Sequence, residues 1–269
     1  MKRKALPLTI LIMVFIIVLA SILLIWTLNI SLHPYSNKHI PLKAVVVDGL
    51  FDDFPNVSLI SKVVGVLRSR GFVVDIVNGS DLTVDKYREI FGDGYRVLIL
   101  RVHGGVAEDR GLVALFTSQL FNDSLYVFER KMGLVGVGEP FLSPGKKLFV
   151  ISPEFIKRFG RGLKNSIVMV FSCYSSYRME LAKAFIDMGA KLYIGWDGPV
   201  DAVMNDYALS KLIEYLFVEN MTIDEAVKET MNDILSIYAH RSGAYPLPLL
   251  TYYPRSVGSY TVWDLLGMK

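Results

Sequence analysis

One cysteine and four histidines limit the nucleophilic chemistry open to this 269-residue chain. The cysteine, Cys173, closes the apolar run IVMVFS that starts at Ile167, and His103 closes RVLILRV, which starts at Arg96. A thiol and an imidazole at two strand ends are the parts of a Cys–His dyad. The imidazole takes the thiol proton and later returns it to the leaving group, while sulfur attacks the substrate. Gly104 and Gly105 follow His103, and a residue without Cβ lets a substrate approach the backbone closely. The backbone N–H of Gly104, together with that of Cys173, is the expected oxyanion hole. Taken singly, a lone cysteine is usually core packing and His-Gly-Gly is usually a turn. Their joint occurrence at the ends of two apolar strands is what points to a site.

The elements that must position this pair alternate. AVVVDGL (44–50), FVVDIV (72–77), RVLILRV, LFVIS (148–152), IVMVFS and KLYIGW (191–196) are short apolar runs that read as buried strands. Helices are predicted at 58–70, 83–90, 178–188, 207–218 and 222–238, with another opening at Ser152-Pro153-Glu154, where serine caps and proline takes the first turn. Thr222 and Glu225 stand at capping-box spacing. Segments 112–121 and 124–128 are expected to form a hairpin, 132–145 a glycine-rich loop, and 259–263 a further strand. Strands that are apolar on both faces and alternate with helices predict a single α/β domain with a mostly parallel sheet covered on two sides. In such sheets ligands sit beyond the carboxyl ends of the strands, where His103 and Cys173 fall.

Other chemistries fit less well. A class I glutamine amidotransferase needs a histidine downstream of its cysteine. The one available, His240, has no strand before it, and Cys173 lacks glycine on either side. No glycine-rich phosphate loop follows any strand, which argues against a nucleotide binder. Lys2, Arg3 and Lys4 account for the whole net charge of +3, so the remainder is neutral by count and carries no nucleic-acid footprint. No metal site and no cofactor is expected.

The motifs at 97–104 (VLILRVHG) and 167–173 (IVMVFSC) resemble those of the caspase-like superfamily of cysteine peptidases, which includes caspases, legumain, gingipains, clostripain and CHAT domains. In that superfamily one hydrophobic strand ends in His-Gly and a second ends in a small residue and Cys. The stretch after Cys173 resembles gingipain and CHAT proteins, through helix 178–188, Met188-Gly189-Ala190, Tyr193-Ile194-Gly195-Trp196 and Asp224-Glu225-Ala226-Val227. The resemblance covers residues 43–240. It implies a caspase-like three-layer α/β/α sandwich and thiol peptidase chemistry. It maps the dyad onto His103 and Cys173, and the oxyanion hole onto the backbone of Gly104 and Cys173. It also points to Asp197, Asp201 and Trp196, after the next strand, as candidates for the substrate pocket. Two departures are Ser172, where the family usually has alanine, and Arg101, which interrupts the apolar run before His103.

No charge occurs between Lys4 and Lys38, and the apolar run from Leu8 to Leu28, at roughly 1.5 Å per residue, spans about 31 Å, the thickness of a hydrocarbon core. Trp26 falls at its outer end. The run is too long for a signal peptide and no small-residue cleavage pattern follows. It reads as an uncleaved anchor, so residues 1–30 are a basic stub and transmembrane helix, 31–42 a stalk and 43–269 the α/β domain. Basic flanking residues leave the N-terminus in the cytoplasm and the domain extracytoplasmic. Asn-x-Ser/Thr triplets at Asn29, Asn56, Asn78, Asn122 and Asn220 suit an exported, glycosylated surface. A solitary thiol outside the cytosol is itself a sign of reactivity. The sequence therefore predicts a single-pass, membrane-anchored cysteine peptidase acting on protein or peptide substrates. The alternative is an inactive binding or scaffold domain on the same fold.

Overall fold

A computed structural model describes residues 12–13, 15–24, 42–107, 111–141, 143–238 and 247–268. The chain divides into two units, 1–40 and 41–269. In the first, residues 12–13 and 15–24 are helical and exposed, with Phe15 and Leu23 about two-thirds accessible. Ser21 Oγ donates back to the Ile17 carbonyl one turn earlier. Among the described residues no helix is long and apolar enough to cross a membrane, and the rest of the expected 8–28 span lies outside them.

The second unit is α/β, with a mixed, mostly parallel central sheet. Its strands are β1 (Lys43–Asp48), β2 (Val73–Asn78), β3 (Val97–Arg101), β8 (Ile167–Phe171), β9 (Leu192–Trp196) and β10 (Leu250–Tyr253). They lie in the order β10-β9-β8-β3-β1-β2. All neighbours are parallel except β10, which runs antiparallel on the β9 edge. The four remaining strands form an antiparallel sheet in the order β4-β5-β7-β6: β4 (Gly104–Val106), β5 (Val113–Leu120), β6 (Val135–Gly138) and β7 (Leu148–Ile151).

The unbroken apolar runs follow from burial on both faces. Ala44, Val46, Ile99, Met169 and Ile194 enter one core, while Val45, Val47, Leu98, Leu100, Val168 and Val170 enter the other. The first core is closed by α1 (Val57–Ser69), α6 (Ala202–Ile213), α7 (Ile223–Tyr238) and α8 (Val262–Leu266). The second is closed by α2 (Val84–Gly92), α4 (Pro153–Phe159), α5 (Glu180–Asp187) and the inner face of the small sheet. Each large side chain buried here stabilises by about 1.5–3 kcal/mol. Helices on both faces of one sheet are compatible with a three-layer sandwich.

Local chemistry sets the helix starts. Asn56 caps α1, Thr83 caps α2, Ser152 caps α4 ahead of Pro153, and Asp201 caps α6, each side chain accepting from a first-turn amide. Three expectations are corrected. Segment 124–128 is not a strand, because a turn there leads into the short helix α3 (Val127–Lys131). The glycine-rich stretch 132–145 contains β6. Segment 259–263 is not a strand either. Thr261 and Asp264 form a capping box that opens α8, and the C-terminal segment contributes β10 instead.

The strand order also fixes where a ligand can sit. From β1 the chain moves outward to β2, then returns on the other side of β1 as β3. The connections diverge there and leave a crevice beyond the carboxyl ends of these strands.

Candidate active site

β3 and β8 pair in register, with Arg101 opposite Phe171. His103 and Cys173 each stand two residues beyond that pair, so the sheet delivers both to one edge. Both line a single cleft of about 770 Å³. Gly104 shows how close the two strand ends are. A Cβ on it would fall 1.9 Å from Ser172 Oγ and 2.7 Å from the Cys173 carbonyl oxygen. A side chain on the residue after His103 would therefore force its neighbours to shift.

His103 is held from several sides. Its Nε2 lies 2.8 Å from Asp53 Oδ2, and the rings of Phe54 and Phe116 meet it edge-on with centroids 6.3 Å away. Its carbonyl accepts from Phe116 N at 3.0 Å. Neither side chain of the His103–Asp53 pair is deeply buried, at 20% and 27% exposure. The Asp53 contact is the one side-chain hydrogen bond His103 makes among the described residues.

Cys173 sits in a turn strapped to β9. Tyr174 N donates to the Gly198 carbonyl and Ser176 N to the Trp196 carbonyl, at 2.9 and 2.7 Å. Ser175 Oγ donates to the Val170 carbonyl and accepts from Trp196 N, both at 2.9 Å. Tyr174 adopts a left-handed φ of 59° directly after the cysteine, a strained conformation for a bulky residue of the sort that collects at functional sites. Cys173 Sγ donates to the Val200 carbonyl at 3.3 Å and accepts from Val200 N at 3.5 Å. Burial pushes the thiol pKa up, the Val200 contact opposes this, and the Asp201 carboxylate adds to the rise. The sulfur is thus engaged with the segment before α6, and not with His103. The backbone amide of Cys173 itself also opposes the rise in the thiol pKa.

The other candidates separate. Asp201 lines the cleft, with Oδ1 accepting from Met204 N at 2.8 Å. Asp197 is not on the cleft wall. Its Oδ1 accepts from Leu249 N at 2.6 Å and its own amide donates to the Leu249 carbonyl, which ties β9 to the strand beside it. Trp196 is not on the wall either. It is fully buried in the core, and its Nε1 donates to Asn205 Oδ1 at 2.9 Å. Asn205, which no sequence motif marks, lines the cleft and donates to the Phe171 carbonyl at 3.2 Å.

Asp53 was missed as well. The available signal was its position in the loop FDDFPN (51–56), just past β1 at the switch point. A third missed feature lies beneath the site. Arg101 is fully buried, and its Nε and Nη2 donate to the two oxygens of Asp206 at 2.6 and 2.9 Å. Nη1 donates to the fully buried Asp48, and Nη2 also reaches the Phe54 carbonyl at 2.8 Å. Burial pushes the Asp48 pKa up against the pull of Arg101, and Asp48 Oδ2 has no hydrogen-bond partner among the described residues.

Among the described residues no group of three His, Cys, Asp or Glu side chains is placed to hold a metal ion. His240 lies outside them. No protein-family model and no curated protein matches this chain.

Proposed function

We propose that this chain is a caspase-like cysteine peptidase, anchored in a membrane by residues 8–28, which hydrolyses peptide bonds outside the cytoplasm through Cys173 and His103. The observation that carries the reading is the placement of His103 and Cys173 at the ends of two paired parallel strands, lining one cleft. The resemblance of the two strand-end motifs supports it. So does the run of exposed apolar helical residues within 12–24 for the anchor.

In the reaction, a substrate displaces the Val200 contacts of the thiol. His103 Nδ1 takes the Sγ proton while sulfur adds to the scissile carbonyl carbon. The oxyanion is met by the Cys173 amide, with Gly104 as the second donor. As the C–N bond breaks, His103 returns the proton to the leaving amine and a thioester remains on Cys173. Water, deprotonated by the same imidazole, then releases the acid and restores the thiol. Asp53, bound to Nε2, fixes the ring and its tautomer throughout, as an orienting carboxylate does in a triad. The anchor limits substrates to proteins at or beyond the membrane surface. Asn122 and Asn220 are exposed and suit glycosylation, whereas the Asn56 amide is spent on Asp206 at 2.9 Å.

One observation favours a second reading, a binding domain without turnover: the thiol hydrogen-bonds Val200 and not His103. A peptidyl acyloxymethyl ketone separates the two. A peptidase is alkylated at Cys173 faster than by iodoacetamide, and the gain vanishes in His103→Ala. A scaffold shows no such gain.

A further inference from the structure

Arg101 ends β3, two residues before His103, on a strand otherwise made of aliphatic side chains. Its side chain and that of Asp48 are fully buried, and that of Asp206 is 13% exposed. A buried ion cluster is a poor source of stability, because desolvating the charges cancels much of their attraction and well-packed apolar residues often do as well. Its presence calls for another explanation, and its connections supply one.

The guanidinium holds three parts of the site at once. Through the Phe54 carbonyl it grips the loop whose Asp53 binds His103 and whose Phe54 ring borders the imidazole. Through both oxygens of Asp206 it grips α6, the helix that begins just after Val200 and Asp201, beside the thiol. Through Asp48 it is fixed to the end of β1. Asn56 closes the arrangement. Its Nδ2 donates to Asp206 Oδ2 at 2.9 Å while its Oδ1 caps α1, so the far end of the same loop is tied to α6 as well. The walls of the cleft come from segments distant in sequence, and these bonds run directly between them.

We propose that Arg101, held by Asp48 and Asp206, is a positioning residue that keeps the His103 side and the Cys173 side of the cleft in register. This rests on the peptidase reading above. The planar fork of arginine serves a bidentate carboxylate, a second carboxylate and a carbonyl together, which neither lysine nor an apolar residue can do. Loss of the clamp frees the Asp53–Phe54 loop from α6. The imidazole and the thiol each persist, but the distance between them is no longer set.

The test compares the full chain with Arg101→Met, Arg101→Lys and Asp206→Asn, using a peptidyl acyloxymethyl ketone and, separately, iodoacetamide. The peptidyl probe gives a binding constant and a maximal alkylation rate for Cys173, and thermal melting reports whether each variant folds. In Arg101→Met the maximal rate is expected to fall about ten- to a hundredfold, with the binding constant held within about twofold and iodoacetamide reactivity retained. Arg101→Lys recovers part of the rate. If Arg101→Met does not fold, Asp206→Asn, whose site is partly exposed, is read in the same way. A purely structural role predicts a lower melting point with an unchanged maximal rate, and that result overturns the proposal. Failure of the peptidase reading looks different: the parent chain and His103→Ala are then alkylated equally fast by the peptidyl probe, and the proposal falls with it.

Discussion

His103 Nε2 lies 2.8 Å from a carboxylate oxygen of Asp53, so the imidazole meets the cleft with one ring nitrogen already engaged. This bond links the carboxyl end of β3 to the loop after β1, across the switch point of the sheet. In the proposed mechanism Nε2–H donates to Asp53 and Nδ1 serves as the base.

The first prediction concerns that bond. Asp53→Asn removes the charge and permits the wrong tautomer, while Asp53→Ala releases the ring. Both are expected to lower kcat about 10–100-fold, or about 1.4–2.7 kcal/mol on the barrier, with little change in KM. Steady-state kinetics on a cleaved peptide check this. Equal loss in KM alone would assign Asp53 to substrate binding instead.

Gly104 carries a packing prediction. Its missing Cβ would fall on Ser172 Oγ and close to the Cys173 carbonyl. Gly104→Ala is therefore expected to destabilise the fold by about 1–3 kcal/mol through overpacking. Ser172→Ala in the same chain removes the closest clash and restores part of the loss. Urea denaturation of the two single variants and the double variant measures the coupling, and additive losses would refute it.

The thiol makes a pH prediction. Burial is the main cause of the raised Cys173 pKa, and the Asp201 charge adds to it. Alkylation by iodoacetamide should therefore keep rising above the pH at which an ordinary thiol levels off. Asp201→Asn keeps the helix cap but removes the charge. It is expected to speed alkylation at pH 8 about two- to threefold at low salt, and less at high salt. The stability effect has a definite sign. The folded pKa lies above the unfolded one, so Cys173 favours the fold at neutral pH. That contribution is lost as pH rises from the ordinary thiol range through the folded pKa. Cys173→Ala should flatten the alkaline limb of a stability–pH curve.

The anchor is tested by extraction. The full chain should stay with membranes through an alkaline carbonate wash. Lysine at Ile16 and Leu19 costs about 2.5–3.5 kcal/mol each near the centre of a spanning helix and should release it. Release of the parent chain by the same wash would refute the anchor.

Much of the sheet was legible because burial on both faces leaves unbroken apolar runs, and β3 and β8 stand out for that reason. The same logic exposed His103 and Cys173, each just past such a run. Short elements were harder. α3 and β6 span only a few residues, β6 among glycines, and in such short stretches local preference is weak. At 259–263 the Thr261–Asp264 capping box outweighs the strand preference of the segment and opens α8. The supports of the site could not be read locally. Arg101 stood out only as an interruption, because Asp48 lies 53 residues away and Asp206 lies 105 away. Asp197 and Trp196 follow the right strand, yet one ties β9 to its neighbouring segment and the other fills the core. Sequence spacing puts a residue at a strand end without saying which way it faces.

The most direct measurement of the central claim is a peptide-library digest by the full chain in detergent, read by mass spectrometry, beside Cys173→Ala and His103→Ala. The account predicts discrete cleavage products from the parent chain and a fall of about a hundredfold or more in both variants. Products that persist in Cys173→Ala, or none from a folded parent chain, would contradict it.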